Sequence, residues 1–434
     1  DAEYDRFYIG KKVFNAKAGK KEFRLNLVRQ FPDEEKAIDR YLKLLDKAGK
    51  AIPAYGMKRI FSFWQYVFMW PYLLLKSPWC LFKNTYDVLS RLTDDQDLIA
   101  VLCGQWGNMG LPPKQSTFIV HAMIVRHYLH GGYYPIGGSW KISESIIPKI
   151  QATGGDVFTY ARVEQVNVEN GKVVGVEMAD GHRIECECVI SSAGVGNTFK
   201  HLLSADVASS AGYKQKLKSV EPSSAYLGVY IGLQSTAEEL GLPKTNFWIY
   251  PDNDYDGAVE RFSMGKDDQF PVIYISFPSA KDPDYINRHP GTATIEIVAP
   301  APYQWFEKWR DEIWGKRGED YGKFKDQLGE RLMEHLYEKL PTLRGKVDYY
   351  EVSTPLSTNW FGGYQEGELY GLSHTPKRMQ QKWLRPKTDI PGLWLTGQDI
   401  LTCGVTGAMM AGFLTTASIV GMRKMAPLSK RIYS

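Results

Sequence analysis

The sequence predicts an α/β protein whose units interleave along the chain, and three observations support this prediction. A short apolar strand at residues 391–397 is followed by a long uncharged helix at residues 404–422. Residues 157–188 alternate as the strands of a β-meander, joined by an Asn-Gly turn and an Asp-Gly turn. Residues 201–345 mix helices with strands separated by Pro- and Asp-rich turns, which is typical of a second, α+β unit.

The composition is that of an ordinary globular protein. Of 434 residues, 44% are hydrophobic and 24% are charged, which excludes a disordered or collagen-like chain. The 53 basic residues exceed the 49 acidic ones by four and are dispersed, so no nucleic acid partner is expected. The five cysteines lack CxxC spacing and are predicted to be reduced structural thiols. His127 and His130 share a helix face without a third ligand, so no metal site is predicted.

The strand and helix at the C-terminal end carry the strongest functional signal. A helix that begins at Gly404 presents unpaired backbone N–H groups and the positive end of its dipole, which suit an anion. Small residues recur along one side of it, at Gly404, Gly407, Ala408, Ala411 and Gly412. Such a stripe lets a flat ligand or a neighbouring strand lie against the helix backbone, and the spacing leaves both interpretations open.

A second strand end supports a nucleotide-binding sheet. The meander returns to the strand sequence Val-Ile-Ser-Ser-Ala-Gly at residues 189–194, and ligands of doubly wound α/β sheets lie beyond such strand ends. The sequence has no GxGxxG motif, because Phe199 replaces the third glycine of the GVGNTF segment. It also has no P-loop and no GxSxG motif. We therefore expect a Rossmann-like domain that is incomplete at its N-terminus.

The chain is expected to divide into five segments. Residues 1–130 are predicted to be a mainly helical cap and substrate region with membrane contact. Residues 131–200 and 386–424 are predicted to be two parts of the nucleotide-binding domain, residues 201–385 the substrate domain, and residues 425–434 a tail. The chain starts with Asp-Ala-Glu-Tyr rather than with Met or an apolar leader, so we expect that it starts inside a longer protein.

Two stretches are candidates for membrane contact. Residues 60–75 are uncharged, flanked by basic residues and rich in Trp and Tyr, which indicates a membrane surface, with a buried aromatic helix as the alternative. They are too few to span a bilayer. Residues 400–422 are long enough to span, but nine of these 23 residues are Gly, Ser or Thr. A buried helix is the favoured interpretation there, and a span is the alternative.

Several segments together resemble a known family. They occur in order over nearly the whole chain, and they are STFIVHAMIVRHYLHGGYYPIGGSWKI, VISSAGVGNTFKHLL, ISFPSAKDPDY, STPLSTNWFGGYQEGELYGLSH and GLWLTGQDILTCGVTGAMMAG. They resemble the retinol saturase branch of the flavoproteins that include phytoene desaturases and carotenoid isomerases. The last segment is shared by many flavoproteins of the amine-oxidase type, whereas FPSAKDP and HYxxGGxYPxGG are more specific to the saturase branch.

The resemblance implies an FAD-binding Rossmann-like domain interleaved with an α+β substrate domain. It implies FAD as the cofactor, with NAD or NADP as a candidate electron source. Its implied FAD contacts are Val163 at the adenine edge, Ser192, Ala193 and Gly194 along the adenosine, Gly397, Gln398 and Asp399 near the ribityl–pyrophosphate, and Val405, Thr406, Gly407 and Gly371 near the flavin ring. Tyr370 would lie beside the ring as well.

The implied activity is saturation of a polyene C=C bond, with all-trans-retinol reduced to 13,14-dihydroretinol. Tyr370 and His374 are the candidate proton donors. An apolar polyene needs an apolar tunnel, and residues 57–82 are expected to form its mouth at the membrane, with the endoplasmic reticulum as the expected location. The alternatives are a carotenoid desaturase or cis–trans isomerase on the same fold, and a flavin-free membrane-associated binding protein.

Overall fold

A computed structural model describes residues 3–60, 67, 68, 71, 79, 80, 82–265, 269–422, 424 and 425. The strands are β1 (Glu3–Ile9), β2 (Lys12–Lys17), β3 (Val163–Glu169), β4 (Lys172–Met178), β5 (Arg183–Glu185), β6 (Val189–Ser191), β7 (Tyr226–Leu233), β8 (Asn246–Tyr250), β9 (Ile273–Ser276), β10 (Ala293–Pro300), β11 (Val347–Ser353) and β12 (Leu393–Leu395). They form one large sheet and two small ones.

Helices surround these sheets. The α-helices are α1 (Lys20–Gln30), α2 (Glu35–Lys58), α3 (Thr85–Leu89), α4 (Gln96–Leu102), α5 (Phe118–Tyr128), α6 (Trp140–Gln151), α7 (Val195–Asn197), α8 (Ala205–Ser210), α9 (Tyr213–Leu217), α10 (Tyr255–Ser263), α11 (Pro278–Lys281), α12 (Tyr285–Arg288), α13 (Gly318–Lys339), α14 (Pro355–Gly362), α15 (Pro376–Met379) and α16 (Gly404–Val420). Short 3₁₀ turns lie at Pro32–Glu34, Trp106–Asn108, Tyr303–Trp305, Glu307–Trp309 and Pro341–Leu343, and a π-helical turn at Thr198–Leu202.

The large sheet has seven strands in the order β11-β7-β10-β9-β8-β1-β2. Strands β1 and β8 run parallel, and the other neighbours run antiparallel. Strand β10 alternates strictly between buried and partly buried residues, as expected of a strand whose two faces differ. The buried residues pack with the apolar side of α13 in one core, which includes Phe247, Ile275, Ile297 and Leu332.

Within the segment at 1–130 that we predicted to be mainly helical, residues 3–17 form the two strands β1 and β2. Tyr4, Phe7, Ile9 and Phe14 are buried, and β1 and β2 form a hairpin that extends the large sheet. The sheet partner of this hairpin is β8, more than 200 residues away. The register of β1 is set by this distant strand. The local sequence pattern therefore did not predict β1. Helices α1 to α5 account for most of the rest of this segment.

The two small sheets lie in the segments predicted to form the nucleotide-binding domain. Strands β6 and β12 pair in parallel, with Leu393 opposite Val189 and Leu395 opposite Ser191. Strands β3, β4 and β5 form an antiparallel meander close to its predicted position. Asn170 and Gly171 have positive φ angles of 50° and 76°, as the predicted two-residue hairpin turn requires.

Helix α16 packs between β12 and α2. Thr415 donates a hydrogen bond to the Leu395 carbonyl oxygen over 2.8 Å, and Leu414 approaches Gly56 of α2. Within the described residues, no helix combines the length and the apolar character needed to cross a membrane. Most of the stretch at 60–75, which we predicted to contact a membrane surface, lies outside the described residues, as does the tail from 426 onward.

Candidate functional site

The candidate site begins where β6 and β12 end side by side. The N–H of Thr396 donates to the carbonyl of Ser191 over 2.9 Å, which aligns the two strand ends. Ser192 and Ala193 follow β6 and are exposed. Gly397 follows β12 with a φ of 87°, and a Cβ there would lie 3.7 Å from the Ser192 carbonyl oxygen. The carboxyl ends of parallel strands thus meet at one edge, where ligands of such sheets bind.

Asp399 fastens two loops at this edge. It is 3% exposed, and its carboxylate accepts hydrogen bonds from the N–H groups of Val195 (2.8 Å) and Leu372 (2.9 Å). A Cβ on Gly371, which has a φ of 62°, would lie 2.2 Å from this carboxylate, and a Cβ on Gly194 would lie 3.2 Å from it. Both oxygens of Asp399 are therefore used within the protein, and its role in the structure is to hold neighbouring loops together.

A buried arginine completes this support. Arg378 donates to the carbonyl oxygens of Leu372 and Gln398, both over 2.7 Å, and to that of Asp399 over 3.1 Å. The side chain of Gln398 donates to the Tyr364 hydroxyl over 3.1 Å. The predicted residues Gly194, Gly371, Gly397, Gln398 and Asp399 are thus brought together, although they are spread over about 200 positions.

The small-residue stripe of α16 serves two purposes. A Cβ on Gly407 would lie 2.1 Å from the carbonyl oxygen of Thr402, and Ala411 is fully buried, so this side is packed tightly. A Cβ on Gly404 or Gly412 would meet nothing within 4 Å. The two interpretations that the spacing left open, close packing and room for a flat ligand, therefore apply to different residues of one helix.

The first turn of α16 is open. Gly404, Val405 and Thr406 are exposed, Val405 by 57%. Cys403 precedes the helix, and its N–H donates to Nε2 of His374 over 3.0 Å. The first N–H groups of a helix lack partners within the helix and attract negative charge. An exposed amide-rich turn beside the β6–β12 edge is therefore suited to an anionic ligand.

His374 is fully buried and neutral. Burial, with a contribution from Arg378, lowers its pKa well below the usual histidine value. Its Nε2 accepts the Cys403 N–H, so the neutral ring must carry its proton on Nδ1. That Nδ1 has no hydrogen-bond partner among the described residues. The ring therefore has an N–H group without an acceptor among the described residues.

Tyr370 is held near the 3₁₀ turn at Trp106–Asn108. Its hydroxyl donates to the carbonyl of Gly107 over 3.0 Å, and a Cβ on Gly110 would lie 2.8 Å from its ring. Burial raises the pKa of this phenol well above the ordinary tyrosine value, with Tyr226 and Cys403 adding to the effect. The phenol therefore keeps its proton at neutral pH.

Two polar groups near Tyr370 were missed by the sequence analysis. Tyr226 is the first residue of β7, and its ring centroid lies 6.0 Å from that of Tyr370. Asn108 ends a 3₁₀ turn, and its carbonyl accepts a hydrogen bond from the Cys403 thiol over 3.3 Å. The Tyr226 hydroxyl and Asn108 Nδ2 are both buried without a partner among the described residues. No motif surrounds either residue, so only their burial reveals them.

Val163 lies in a different sheet from the other predicted contacts. It is the first residue of β3 and pairs with Met178 in the meander, rather than at the β6–β12 edge.

In the part of the chain that the structure describes, no three metal-ligating side chains come together.

The fold is similar to those of several solved structures. The structure of a putrescine oxidase variant matches with a TM-score of 0.55 at 12% identity, covering 97% of this chain and 81% of that one. Cyclohexylamine oxidase from Brevibacterium oxydans matches with a TM-score of 0.51 at 11% identity, covering 98% and 81%. These matches confirm the predicted α/β fold as that of the FAD-dependent amine oxidases.

Other proteins match this chain at higher sequence identity than these solved structures do. The chain is 36% identical over 426 residues to all-trans-retinol 13,14-reductase of Homo sapiens, covering 95% of this chain and 70% of that protein. It is 30% identical over 417 residues to the inactive all-trans-retinol 13,14-reductase of Danio rerio, covering 93% and 68%. Prolycopene isomerase of Daucus carota is 25% identical over 432 residues, covering 94% and 65%.

No family model matches the chain. The identity to the retinol reductases extends over nearly the whole length of this chain. The wider family, which includes the prolycopene isomerases, is FAD-dependent. The predicted resemblance is therefore confirmed: the chain belongs to the all-trans-retinol 13,14-reductase family, within the carotenoid desaturase and isomerase flavoproteins.

Proposed function

We propose that the protein is an FAD-dependent oxidoreductase that saturates a C=C bond of a polyene, converting all-trans-retinol to 13,14-dihydroretinol. The observation that carries the proposal is the exposed first turn of α16 in a chain 36% identical to a retinol reductase, with the partly buried phenol of Tyr370 near the 3₁₀ turn that Cys403 contacts. The helix turn is proposed to contact the anionic cofactor, and the phenol is proposed to supply a proton to the substrate.

The residues at the β6–β12 edge fit part of FAD. Ser192, Ala193 and Gly194 are proposed to contact the adenosine, and the first turn of α16 the ring and its anionic groups. The space beside Gly404 and Gly412 admits a flat ligand, since a Cβ at either position would meet nothing within 4 Å. Asp399 would act through the loops it fastens rather than by touching the cofactor. Val163 is proposed to contact the adenine edge.

Reduced FAD, when bound, supplies the hydride for the double bond. Tyr370 is the proposed proton donor, because its phenol keeps its proton at neutral pH. Its hydroxyl donates to the Gly107 carbonyl here and would have to turn from that oxygen towards the substrate. His374 is less suited to this role, since its Nε2 accepts the Cys403 N–H, which holds the ring at the start of α16. Its Nδ1–H is instead proposed to donate a hydrogen bond to the bound ligands.

A nicotinamide cofactor, NADH or NADPH, is the proposed source of electrons. We also propose that the protein works at a membrane surface, of the endoplasmic reticulum, because its substrate is apolar and residues 60–75 are uncharged, aromatic and flanked by basic residues. Flotation of the purified protein with phosphatidylcholine vesicles tests this. The protein should rise with the vesicles, and a protein that stays in the dense fraction would contradict membrane association.

Two other functions have specific support. The 25% identity to a prolycopene isomerase, and 24% to a phytoene desaturase of Pseudescherichia vulneris, favour a carotenoid desaturase or isomerase as the second candidate. The 30% identity to a reductase described as inactive favours a flavin-free binding protein as the third.

One incubation separates the three functions. The purified protein is supplied with FAD, all-trans-retinol and either dithionite, NADH or NADPH, and the products are separated by chromatography. We expect 13,14-dihydroretinol. Isomerised or desaturated polyene without dihydroretinol would support the second candidate and contradict the first. Retinol that binds but is recovered unchanged, with no FAD retained, would support the third.

A further inference from the structure

Two buried polar groups beside Tyr370 have no partner among the described residues. The Tyr226 side chain is only 7% exposed, and its hydroxyl lies 3.5 Å from the position a Cβ on Gly110 would occupy. Asn108, two residues before Gly110, has a buried Nδ2 without a partner. Native proteins rarely leave buried polar groups unpaired, because each such group loses its hydrogen bonds to water. Each group therefore needs a partner from outside the protein.

Both groups border the proposed site of reaction. The rings of Tyr226 and Tyr370 lie edge to face at 6.0 Å, and the Tyr370 hydroxyl bonds to Gly107, next to Asn108. The Cys403 thiol joins this group by donating to the Asn108 carbonyl. Cys403 also directly precedes α16, whose first turn is the proposed cofactor contact. A ligand atom that reaches Tyr226 and Asn108 would thus be close to both the proton donor and the cofactor.

The surroundings indicate which chemistry this ligand atom has. The groups around it are two phenols, an amide and a thiol, and burial raises the pKa of both phenols, so that they stay uncharged. The nearby guanidinium of Arg378 is engaged by three backbone carbonyl oxygens. A carboxylate would be left without a cation here, whereas a neutral oxygen would receive the Asn108 N–H and exchange a hydrogen bond with Tyr226.

We propose that Tyr226 and Asn108 bind the hydroxyl group of the substrate, and that they select an allylic alcohol over a hydrocarbon polyene. This inference rests on the proposed function. In all-trans-retinol the carbon that bears the hydroxyl is bonded directly to C14 of the double bond to be reduced. Groups that bind the hydroxyl must therefore be neighbours of the proton donor, as Tyr226 and Asn108 are neighbours of Tyr370.

The test compares two ligands that differ by one oxygen atom. Quenching of tryptophan fluorescence measures the binding of all-trans-retinol and of axerophthene, in which hydrogen replaces the hydroxyl group. The wild-type protein should bind retinol about tenfold more tightly, the value of about one well-made hydrogen bond. Tyr226→Phe should bring the ratio of the two affinities close to one, mainly by weakening retinol, and Asn108→Ala should lower it in the same direction.

Tyr250→Phe is the matched control. Tyr250 is also buried, but its hydroxyl donates to the Gly104 carbonyl over 2.6 Å. Its loss should lower the melting temperature and leave the ratio of affinities unchanged, whereas Tyr226→Phe should not lower the melting temperature, because no bond within the protein is lost. A purely structural role for Tyr226 would give the reverse pattern.

The outcomes are separable from those of the proposed function, because binding is measured without a reductant. A wild-type protein that binds both ligands equally, or Tyr226→Phe and Asn108→Ala variants that keep the full preference for retinol, would overturn the inference. A clear preference for the alcohol without any dihydroretinol in the turnover assay would retain the inference and overturn the proposed activity.

Discussion

The two faces of the seven-stranded sheet carry different side chains. On β10, Ile295 and Ile297 are fully buried in the apolar core against α13. The alternate residue, Glu296, lies on the other face, opposite Ser276 of β9 and Tyr230 of β7. The same register places Tyr226 on this second face, because it pairs with Pro300 of β10. One face therefore packs in the apolar core with α13. The other carries polar groups beside buried aromatic residues, such as Phe7 and Trp248, which belong to a second core.

The second face also buries charge. Asp5 is 1% exposed and accepts hydrogen bonds from Gln105 (2.7 Å) and Asn246 (2.8 Å). Lys281, from the FPSAKDP segment, donates to Asn246 and to Ser276. Burial raises the pKa of Asp5 and Glu296 and lowers that of Lys281 to about 8. These groups are costly to bury, and on the second face hydrogen bonds and opposite charges offset that cost.

Substitution on the apolar face should have the largest effect on stability. Ile297→Ala removes a fully buried side chain and should lower the free energy of unfolding by about 2–5 kcal/mol, measured by urea denaturation. Glu296→Gln, one residue away on the other face, is the control and should change it by less than about 1 kcal/mol. Equal losses of unfolding free energy for the two variants would contradict the assignment of Ile297, and not Glu296, to the apolar core against α13.

Loss of the Tyr370 hydroxyl should have the largest effect on turnover. Tyr370→Phe should reduce kcat about 100-fold, because a general acid is removed, while the affinity for retinol stays within about twofold. Tyr255→Phe removes another buried hydroxyl, which donates to the Ala100 carbonyl over 3.1 Å, and should leave kcat unchanged. The measurement is steady-state formation of dihydroretinol. Normal turnover by Tyr370→Phe would exclude Tyr370 as the proton donor.

Lys281 should make the stability of the folded protein depend on pH in a characteristic way. Between about pH 8 and 10.5 its amine is neutral in the folded protein and protonated in the unfolded chain, so its contribution to stability rises with pH. The stability of the wild type relative to Lys281→Met should therefore rise by about 1–3 kcal/mol over this interval. A constant difference between wild type and Lys281→Met would show that Lys281 is not buried as described.

Local patterns predicted much of the fold but little of the second face. The meander, β12 and α16 have their own turns and apolar runs, and the helix predicted at 404–422 is observed at Gly404–Val420. Strand β1 has no such signal, because the burial of Asp5 depends on Gln105 and Asn246, which are distant in sequence. Tyr226 likewise resembles any strand tyrosine until its neighbours are known.

The same contrast holds within the candidate site. The glycines of α16 could be predicted, since a small-residue stripe after a strand is a local pattern. Their division into packed and open positions could not, because it depends on which side of the helix Thr402 and β12 occupy. Asp399 was predicted near the cofactor, but its hydrogen bonds to Val195 and Leu372 depend on loops separated by about 200 and 30 residues.

The central claim is that the exposed first turn of α16 binds an anionic FAD, and a pair of substitutions at Val405 tests it most directly. Glutamate suits the start of a helix, so Val405→Glu should not lower the melting temperature, but its charge should weaken FAD binding at least about tenfold. Val405→Gln has nearly the same shape without the charge. In titrations of FAD fluorescence we expect Val405→Gln to bind like the wild type and Val405→Glu to bind far more weakly. Equal affinities for the two variants, or no FAD binding by the wild type, would contradict the claim.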